Sequence, residues 1–345
     1  GGRCGDGKGH HSQMMIRVAS CAVRVTGGKL RVARQSWSPK SGLTLLLDSS
    51  SKHVTRIAEP ATRNTNLETR NPQPVPAMNL VKIEQFGEIE AIELGYGPVG
   101  PPFMSVYLYI LDGLVIDTGQ RHMRQAVIAL LGEKKLQQVL LTHHHEDHSG
   151  NASAICKQHQ IEACGHPLTV QKMAAGFPIL PYQRFIWGRS EKIRLLPLGP
   201  AVESNRYNLV PVYTPGHSKD HTVFWEETNG WLFSGDLYLG QRIKYFRADE
   251  NIFDQIDSLK KVLTLEFDAL FCAHNPCPQN GKSKLKQKLQ FLEDIVGQVR
   301  KLKQNGLSKK AVLNRLDPKT DRSIKLMTMG NVSFANMLAS AFHGD

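Results

Sequence analysis

Residues 142–151 read Thr142-His143-His144-His145-Glu146-Asp147-His148-Ser149-Gly150-Asn151. They follow Leu136 to Leu141, an apolar run that reads as a buried strand, and lead into Asn151 to Gln160, whose spacing is helical. In an open α/β sheet the carboxyl end of such a strand borders a crevice where side chains converge on ligands. Within the run, His143, His145, Asp147 and His148 supply imidazoles and a carboxylate in an H-x-H-x-D-H pattern. Alternation sends His143 and His145 the same way, while the turn presents Asp147 and His148 to a neighbouring point. Two metal ions about 3.5–4 Å apart could sit there side by side and share a bridging oxygen. Imidazole nitrogen and carboxylate oxygen suit Zn2+ at roughly 2.0–2.2 Å. By the same alternation His144 and Glu146 point away and are expected in solvent or behind the ligands.

Other strand ends carry the partners such a site needs. His217 follows the apolar run Leu209 to Tyr213 through Pro215-Gly216, a rigid and a permissive residue that end a strand abruptly. Asp236 closes Ser234-Gly235-Asp236 after Trp231 to Phe233, where a lone carboxylate is costly unless a cation meets it. His274 stands in Ala273-His274-Asn275 after Ala269 to Cys272, and Asp117 follows Leu114 to Ile116. Taken singly, each reads equally well as a packed histidine or a loop aspartate; taken together they form a donor set. Asp117 is expected to accept a histidine N–H rather than to bind metal. Cys272 and Cys277 flank His274 without the spacing of a zinc pair and are expected as plain thiols.

The surrounding chain fixes the scale. With 345 residues, 41% of them hydrophobic, it can bury a sizeable core. No apolar run approaches the roughly 18 residues of a membrane span. Six cysteines, Cys4, Cys21, Cys156, Cys164, Cys272 and Cys277, are too few for a disulfide framework at this length and predict reduced thiols in an intracellular, cytoplasmic protein. The net charge of +12 is uneven: residues 1–77 and 281–345 are basic, whereas residues 78–280 are slightly acidic. Residues 1–77 show little periodicity and end in a Pro72-x-Pro74-x-Pro76 linker, so they are expected as a disordered leader. An organelle-targeting peptide, a tag-bearing extension and translated upstream sequence all fit that composition.

Between the basic ends, Asp112-Gly113 and Asn229-Gly230 mark hairpins flanked by β-rich runs. Arg121 to Leu131 and the face Ile252, Ile256, Leu259 and Leu263 read as helices. Strands mixed with helices in two runs of similar length predict two sheets packed face to face with helices outside, a four-layer α/β arrangement over residues 78–280. Apolar residues from Leu285 to Leu302 recur at helical steps up to Asn305-Gly306, and short helices follow near Ala311 to Leu316 and Val332 to Phe342. Residues 281–345 thus read as a basic helical appendage.

The ordered set His143-x-His145-x-Asp147-His148, Thr214-Pro215-Gly216-His217, Ser234-Gly235-Asp236 and Ala273-His274-Asn275, with Ile116-Asp117-Thr118-Gly119 upstream, resembles the metallo-β-lactamase superfamily over about residues 84 to 276. The resemblance implies an αββα fold with two zinc ions per chain. The first would take His143, His145 and His217; the second would take Asp147, His148 and His274; the Asp236 carboxylate would bridge them. Such ions lower the pKa of a shared water from 15.7 toward about 7 and polarise the bond it attacks. Asp147 is then expected to accept or relay the proton. His221 is expected to donate to the leaving group or position substrate, with a supporting or plain strand role as the alternative.

Within the family, Asp236 at the bridging position argues against a true β-lactamase, His145 against an oxygen-reducing iron site, and the short interval from Asp236 to His274 against nucleases with a large insert there. The expected reaction is hydrolysis of a small-molecule ester, thioester or lactone. The alternative is an endoribonuclease of the lactamase-beta-like type, gripping single-stranded RNA with Gly281 to Lys288 and Arg300-Lys301-Leu302-Lys303; a solvated helix face explains those charges equally. A non-enzymatic metal-binding module is the weakest reading, because no ligand is missing. Gly176 to Arg189, with Tyr182, Phe185 and Trp187, reads as a substrate lid or a homo-oligomer contact, or else as packing against the appendage. Ser105-Val106-Tyr107 departs from the family's usual small polar residue, and the tyrosine that lactonase-like members place near the metals has no clear match here, with Tyr238 the nearest in sequence to Asp236.

Overall fold

The computed structural model describes residues 21–26, 29–34, 45–48 and 78–343. The leader, expected without structure, carries the strands Cys21–Thr26 (β1), Lys29–Arg34 (β2) and Leu45–Asp48 (β3); the rest of residues 1–77 lies outside the described residues. β1 and β2 pair with each other, and β3 pairs with Met78–Phe86 (β4). The first sheet continues through Ile89–Gly95 (β5), Ser105–Leu111 (β6), Leu114–Ile116 (β7), Gln138–Leu140 (β8), Glu162–Gly165 (β9) and Leu196–Pro197 (β10). Its eight strands follow chain order, antiparallel from β3 to β7 and parallel from β7 to β10. The second sheet, Val202–Glu203 (β11), Asn208–Tyr213 (β12), Thr222–Glu226 (β13), Trp231–Gly235 (β14) and Ala269–Cys272 (β15), also follows chain order and ends in the parallel pair β14–β15.

The layers follow from alternation along the strands. In β6, Leu108 and Ile110 face an outer cluster completed by Arg124–Leu131 (α1), the helix Ala152–His159 (α3) that follows the short Glu146–Ser149 (α2), and Pro167–Ala175 (α4). Tyr107, Tyr109 and Leu111 face the other way and meet Phe224, Phe233 and Phe271 between the sheets. The outer face of the second sheet, with Leu232 and Leu270, packs under Ile252–Leu263 (α6) and Gly281–Gln304 (α7). Helices, sheet, sheet and helices stack in the predicted four layers.

The hairpin at Asp112-Gly113 has the positive φ values its sequence demands, 46° and 87°. Two differences stand out. Within residues 78–280 the first strand, β4, begins at Met78, ahead of the β-rich runs that flank Asp112-Gly113, and the Gly176–Arg189 segment contains a helix, Pro181–Ile186 (α5). After α7 come Lys309–Leu316 (α8), Arg322–Met327 (α9) and Phe334–His343 (α10); α7, α8 and α10 contribute Leu292, Val312 and Leu338 to the same apolar cluster as the second sheet. None of the helices among the described residues is long and apolar enough to cross a membrane.

Candidate functional site

Strand ends from both sheets meet at one edge of the sandwich. β8 delivers His143 to His148, β12 leads to His217, β14 ends at Asp236 and β15 at His274. Backbone conformation there is tightly constrained. Gly235 has φ 46°, and a Cβ on it would meet Thr142 Oγ1 at 2.8 Å and His221 Nε2 at 2.9 Å. Gly216, at φ 131°, lies against the backbone of Gln255, so a side chain would push α6 away from the His217 loop.

All seven residues expected as ligands converge. His143 Nε2 lies 2.8 Å from His145 Nδ1, which lies 3.1 Å from His217 Nε2. Beside them, His274 Nε2 stands 3.3 Å and His148 Nε2 3.7 Å from Asp147 Oδ2. Asp236 lies between the two groups: its Oδ2 is 3.2 Å from His217 Nε2, and its Oδ1 is 3.4 Å from His148 Nε2 and 3.5 Å from His274 Nε2. His143, His145, His148, His217, Asp147 and Asp236 are buried, and His274 is partly so.

Each outer histidine is held from behind. His148 Nδ1 donates to Asp117 Oδ2 at 2.7 Å, and Asp117 Oδ1 accepts Thr142 N–H at 2.9 Å, which is the role expected of Asp117. His274 Nδ1 donates to the Ser105 carbonyl at 2.6 Å, so the segment that departs from the family pattern contributes its backbone. His217 Nδ1 meets Glu250 Oε1 at 3.2 Å, a partner the sequence reading did not single out. These bonds fix the tautomers and leave the Nε2 lone pairs of His148, His217 and His274 aimed inward.

Lone pairs that face one another at about 3 Å repel unless a cation lies among them. His148 Nε2 and Asp236 Oδ1 are buried and carry no hydrogen bond among the described residues, which leaves two polar atoms unsatisfied at considerable cost. The sets His143–His145–His217, His143–His148–Asp236 and Asp147–His148–His274 each have donor atoms within 4.8 Å of one another. The donor chemistry fits metal ions bound by nitrogen and oxygen.

The comparisons with known proteins agree. The family model described as the metallo-beta-lactamase superfamily matches residues 101–274. The chain belongs to this superfamily. A "Beta-lactamase-like protein 2 homolog" of Drosophila melanogaster is 30% identical over 195 residues, which is 52% of this chain and 62% of that protein. This chain therefore spans less than two thirds of the fly protein's length. A hydroxyacylglutathione hydrolase of Bdellovibrio bacteriovorus is 27% identical over 190 residues, 52% of this chain and 67% of that one. Among solved structures, a metallo-beta-lactamase family protein of Thermus thermophilus shares the fold, with a TM-score of 0.51, 21% identity, and coverage of 74% of this chain and 91% of that one.

The structure chooses between the alternatives left open for the residues around the donors. His221 is fully buried; its Nδ1 pairs with Thr214 Oγ1 at 2.8 Å and its Nε2 accepts Asp236 N–H at 3.1 Å. Burial pushes its pKa down to about 3, so the ring is neutral and has no nitrogen left for a leaving group. Its contact is with the backbone that carries Asp236, which makes it a positioning residue. Glu146, expected in solvent or behind the ligands, lies behind them: it is 2% exposed, accepts both contacts of Gln183 Nε2 at 3.2 and 3.3 Å, and is pushed up to about 7 by burial. His144 donates from its backbone N–H to Asp220 Oδ2 at 3.0 Å, and its ring meets Oδ1 at 2.9 Å. Asp220 also accepts from Thr169 Oγ1 and Lys172 Nζ, and so ties the His143–His148 loop to the His217–His221 loop. Tyr238 lies in the outer apolar cluster, away from the donors.

The basic grip expected for RNA is thinner than its sequence. Lys288 is 1% exposed and donates to the Leu237 carbonyl at 2.7 Å. Lys282 donates to Leu265 O and Glu266, and Lys303 to the Phe342 carbonyl. In the Gly176–Arg189 segment Tyr182 donates to Asn331 Oδ1 at 2.7 Å, the packing against the appendage that is one of its expected roles, and Gln183 contacts Glu146.

Proposed function

We propose that the chain is a zinc-dependent hydrolase with a dinuclear site, acting on a small-molecule ester or thioester. The observation that carries this reading is the Asp236 carboxylate, whose two oxygens face different histidine groups. One zinc ion would be held by His143, His145 and His217, the other by Asp147, His148 and His274, with Asp236 shared. When bound, such a pair supplies an acidified water and polarises the acyl oxygen under attack. Asp147 and Asp236 stay ionised as ligands, with Asp147 as the proposed proton relay: burial would raise both, but the surrounding imidazoles, His148 foremost, outweigh it and hold both below the usual carboxylate range. Among the described residues, the three donor sets contain no serine or cysteine, consistent with direct attack by water.

Thioesters are favoured over other acyl substrates by the names of relatives. These include the hydroxyacylglutathione hydrolase above and an "Atrochrysone carboxyl ACP thioesterase" of Aspergillus fumigatus, 27% identical over 204 residues. The test uses the purified full chain loaded with zinc. Metal analysis should give two zinc ions per chain, and a hydroxyacyl thioester should be hydrolysed while labelled single-stranded RNA remains intact. Cutting of RNA with no thioester turnover would replace this reading with the endoribonuclease one.

A further inference from the structure

A cavity of about 390 Å3 opens between α5, the loop that follows β14 and the segment before α10. Ile179, Leu180 and Ala248 give it apolar walls, and Gln183, Arg247, Asp249 and Asn331 bring polar groups to it. Its walls are wired to the donor cluster from two directions. Gln183 Nε2 contacts the carboxylate of Glu146, which sits between His145 and Asp147 in the chain. Arg247 N–H donates to Glu250 Oε1 at 3.3 Å, and the same oxygen faces His217 Nδ1. Single contacts at Glu146 and at Glu250 thus link its walls to the His145–His217 side of the site. Its volume suits a group on the order of a dozen heavy atoms, at the small end of ligand pockets, and is far too small for a nucleic-acid strand.

Arg247 sets what such a group can be. Its side chain is only 20% exposed, and its Nε donates to Asp249 at 3.1 Å. Asp249 is 58% exposed, so water competes for that carboxylate and the pair is worth little. The Nη groups of Arg247 carry no hydrogen bond among the described residues. A guanidinium fork with free Nη donors in a partly apolar cavity can bind a planar or tetrahedral oxyanion through two parallel hydrogen bonds, in competition with the exposed Asp249.

We infer that this cavity is the specificity pocket and that it receives a short apolar chain ending in a carboxylate or phosphate, recognised by Arg247. The inference rests on the hydrolase reading for the rest of the substrate, but the pocket can be tested without turnover. Calorimetric titration of the zinc-loaded full chain should show glutarate bound about tenfold or more tightly than butyrate, because both carboxylates can meet the metal site but only glutarate has a second one for Arg247. Arg247→Gln should bring that ratio to about one, and Arg247→Lys should keep part of it. Two substrate pairs locate the oxyanion. Glutaryl against butyryl thioesters of N-acetylcysteamine place it on the acyl side; butyryl-phosphopantetheine against butyryl-pantetheine place it on the thiol side. In one pair, wild type should favour the anionic member in kcat/KM by about tenfold or more, a bias that Arg247→Gln removes. A glutarate preference absent from wild type, or surviving Arg247→Gln, overturns the inference. A preference that is present without any thioester turnover leaves the pocket standing and overturns the hydrolase reading alone.

Discussion

The two halves of the donor cluster are built from different chemistry. Around His143, His145 and His217 the donors are rings: burial and the neighbouring histidines hold His143 well below the usual imidazole range, and burial with the charge of Arg247 does the same to His145. Around Asp147, His148 and His274 the rings are matched by carboxylates. Burial again works against the charged form, but Asp117, Asp147 and Asp236 outweigh it at His148, and Asp236 and Asp147 do so at His274; both are raised. In one half His143 and His145 are held as neutral rings that a cation relieves; in the other, carboxylates hold His148 and His274 toward the charged form. The difference makes Asp236 the joint on which both depend.

Breaking the joint should have the largest effect. Asp236→Ala should cost several kcal/mol of transition-state stabilisation, roughly a thousandfold or more in kcat, and metal analysis should show fewer than two zinc ions per chain. Undiminished turnover with two ions retained would end the dinuclear reading.

Beneath the joint lies the buried ammonium of Lys288. Burial lowers it from 10.5 to about 8, against the opposing pull of Glu250 and Asp236. The unfolded chain therefore holds this proton more firmly, and stability from this group should rise as pH climbs from about 8 to about 10.5, by about 3 kcal/mol. Urea unfolding of wild type and Lys288→Met between pH 7 and 11 isolates it: the difference between them should change across that window, and a constant difference would refute the assignment.

The smallest effects should be one-sided. Glu250→Gln should weaken zinc affinity about 10–100-fold in the half that contains His217, and Asp117→Asn by a similar factor in the half that contains His148. Competition with a graded series of chelators reads the two ions separately. Equal weakening of both ions by either variant would show that the halves are not independent.

Much of this was written plainly in the sequence. The donors sit in short motifs at the ends of apolar runs, and a strand end is where side chains leave a sheet, so His143 to His148, His217, Asp236 and His274 could be found from local pattern alone. The contacts that hold them could not. Glu250 lies just before the Asn251 cap of α6, a place where an acidic residue is unremarked, and it reaches His217 only because α6 packs over the second sheet. Asp220 is an ordinary loop aspartate until the two loops are brought together. Lys288 has the spacing of a solvated basic face and is turned inward. His221 had the right type and neighbourhood for a proton donor, and only the three-dimensional contacts show both of its nitrogens in use. Strand β4 escaped notice because it is half-buried along most of its length, which blurs the alternation that reveals a strand.

The donors are also ordered in time. His143, His145 and His217 all precede Asp236, and His274 comes last, on a strand held by the carbonyl of Ser105 far upstream. A chain growing from its amino end carries every ring of the first half before it carries the final ring of the second. The cluster can close only once β15 has emerged and slid in beside β14, so completion of the site coincides with completion of the sandwich.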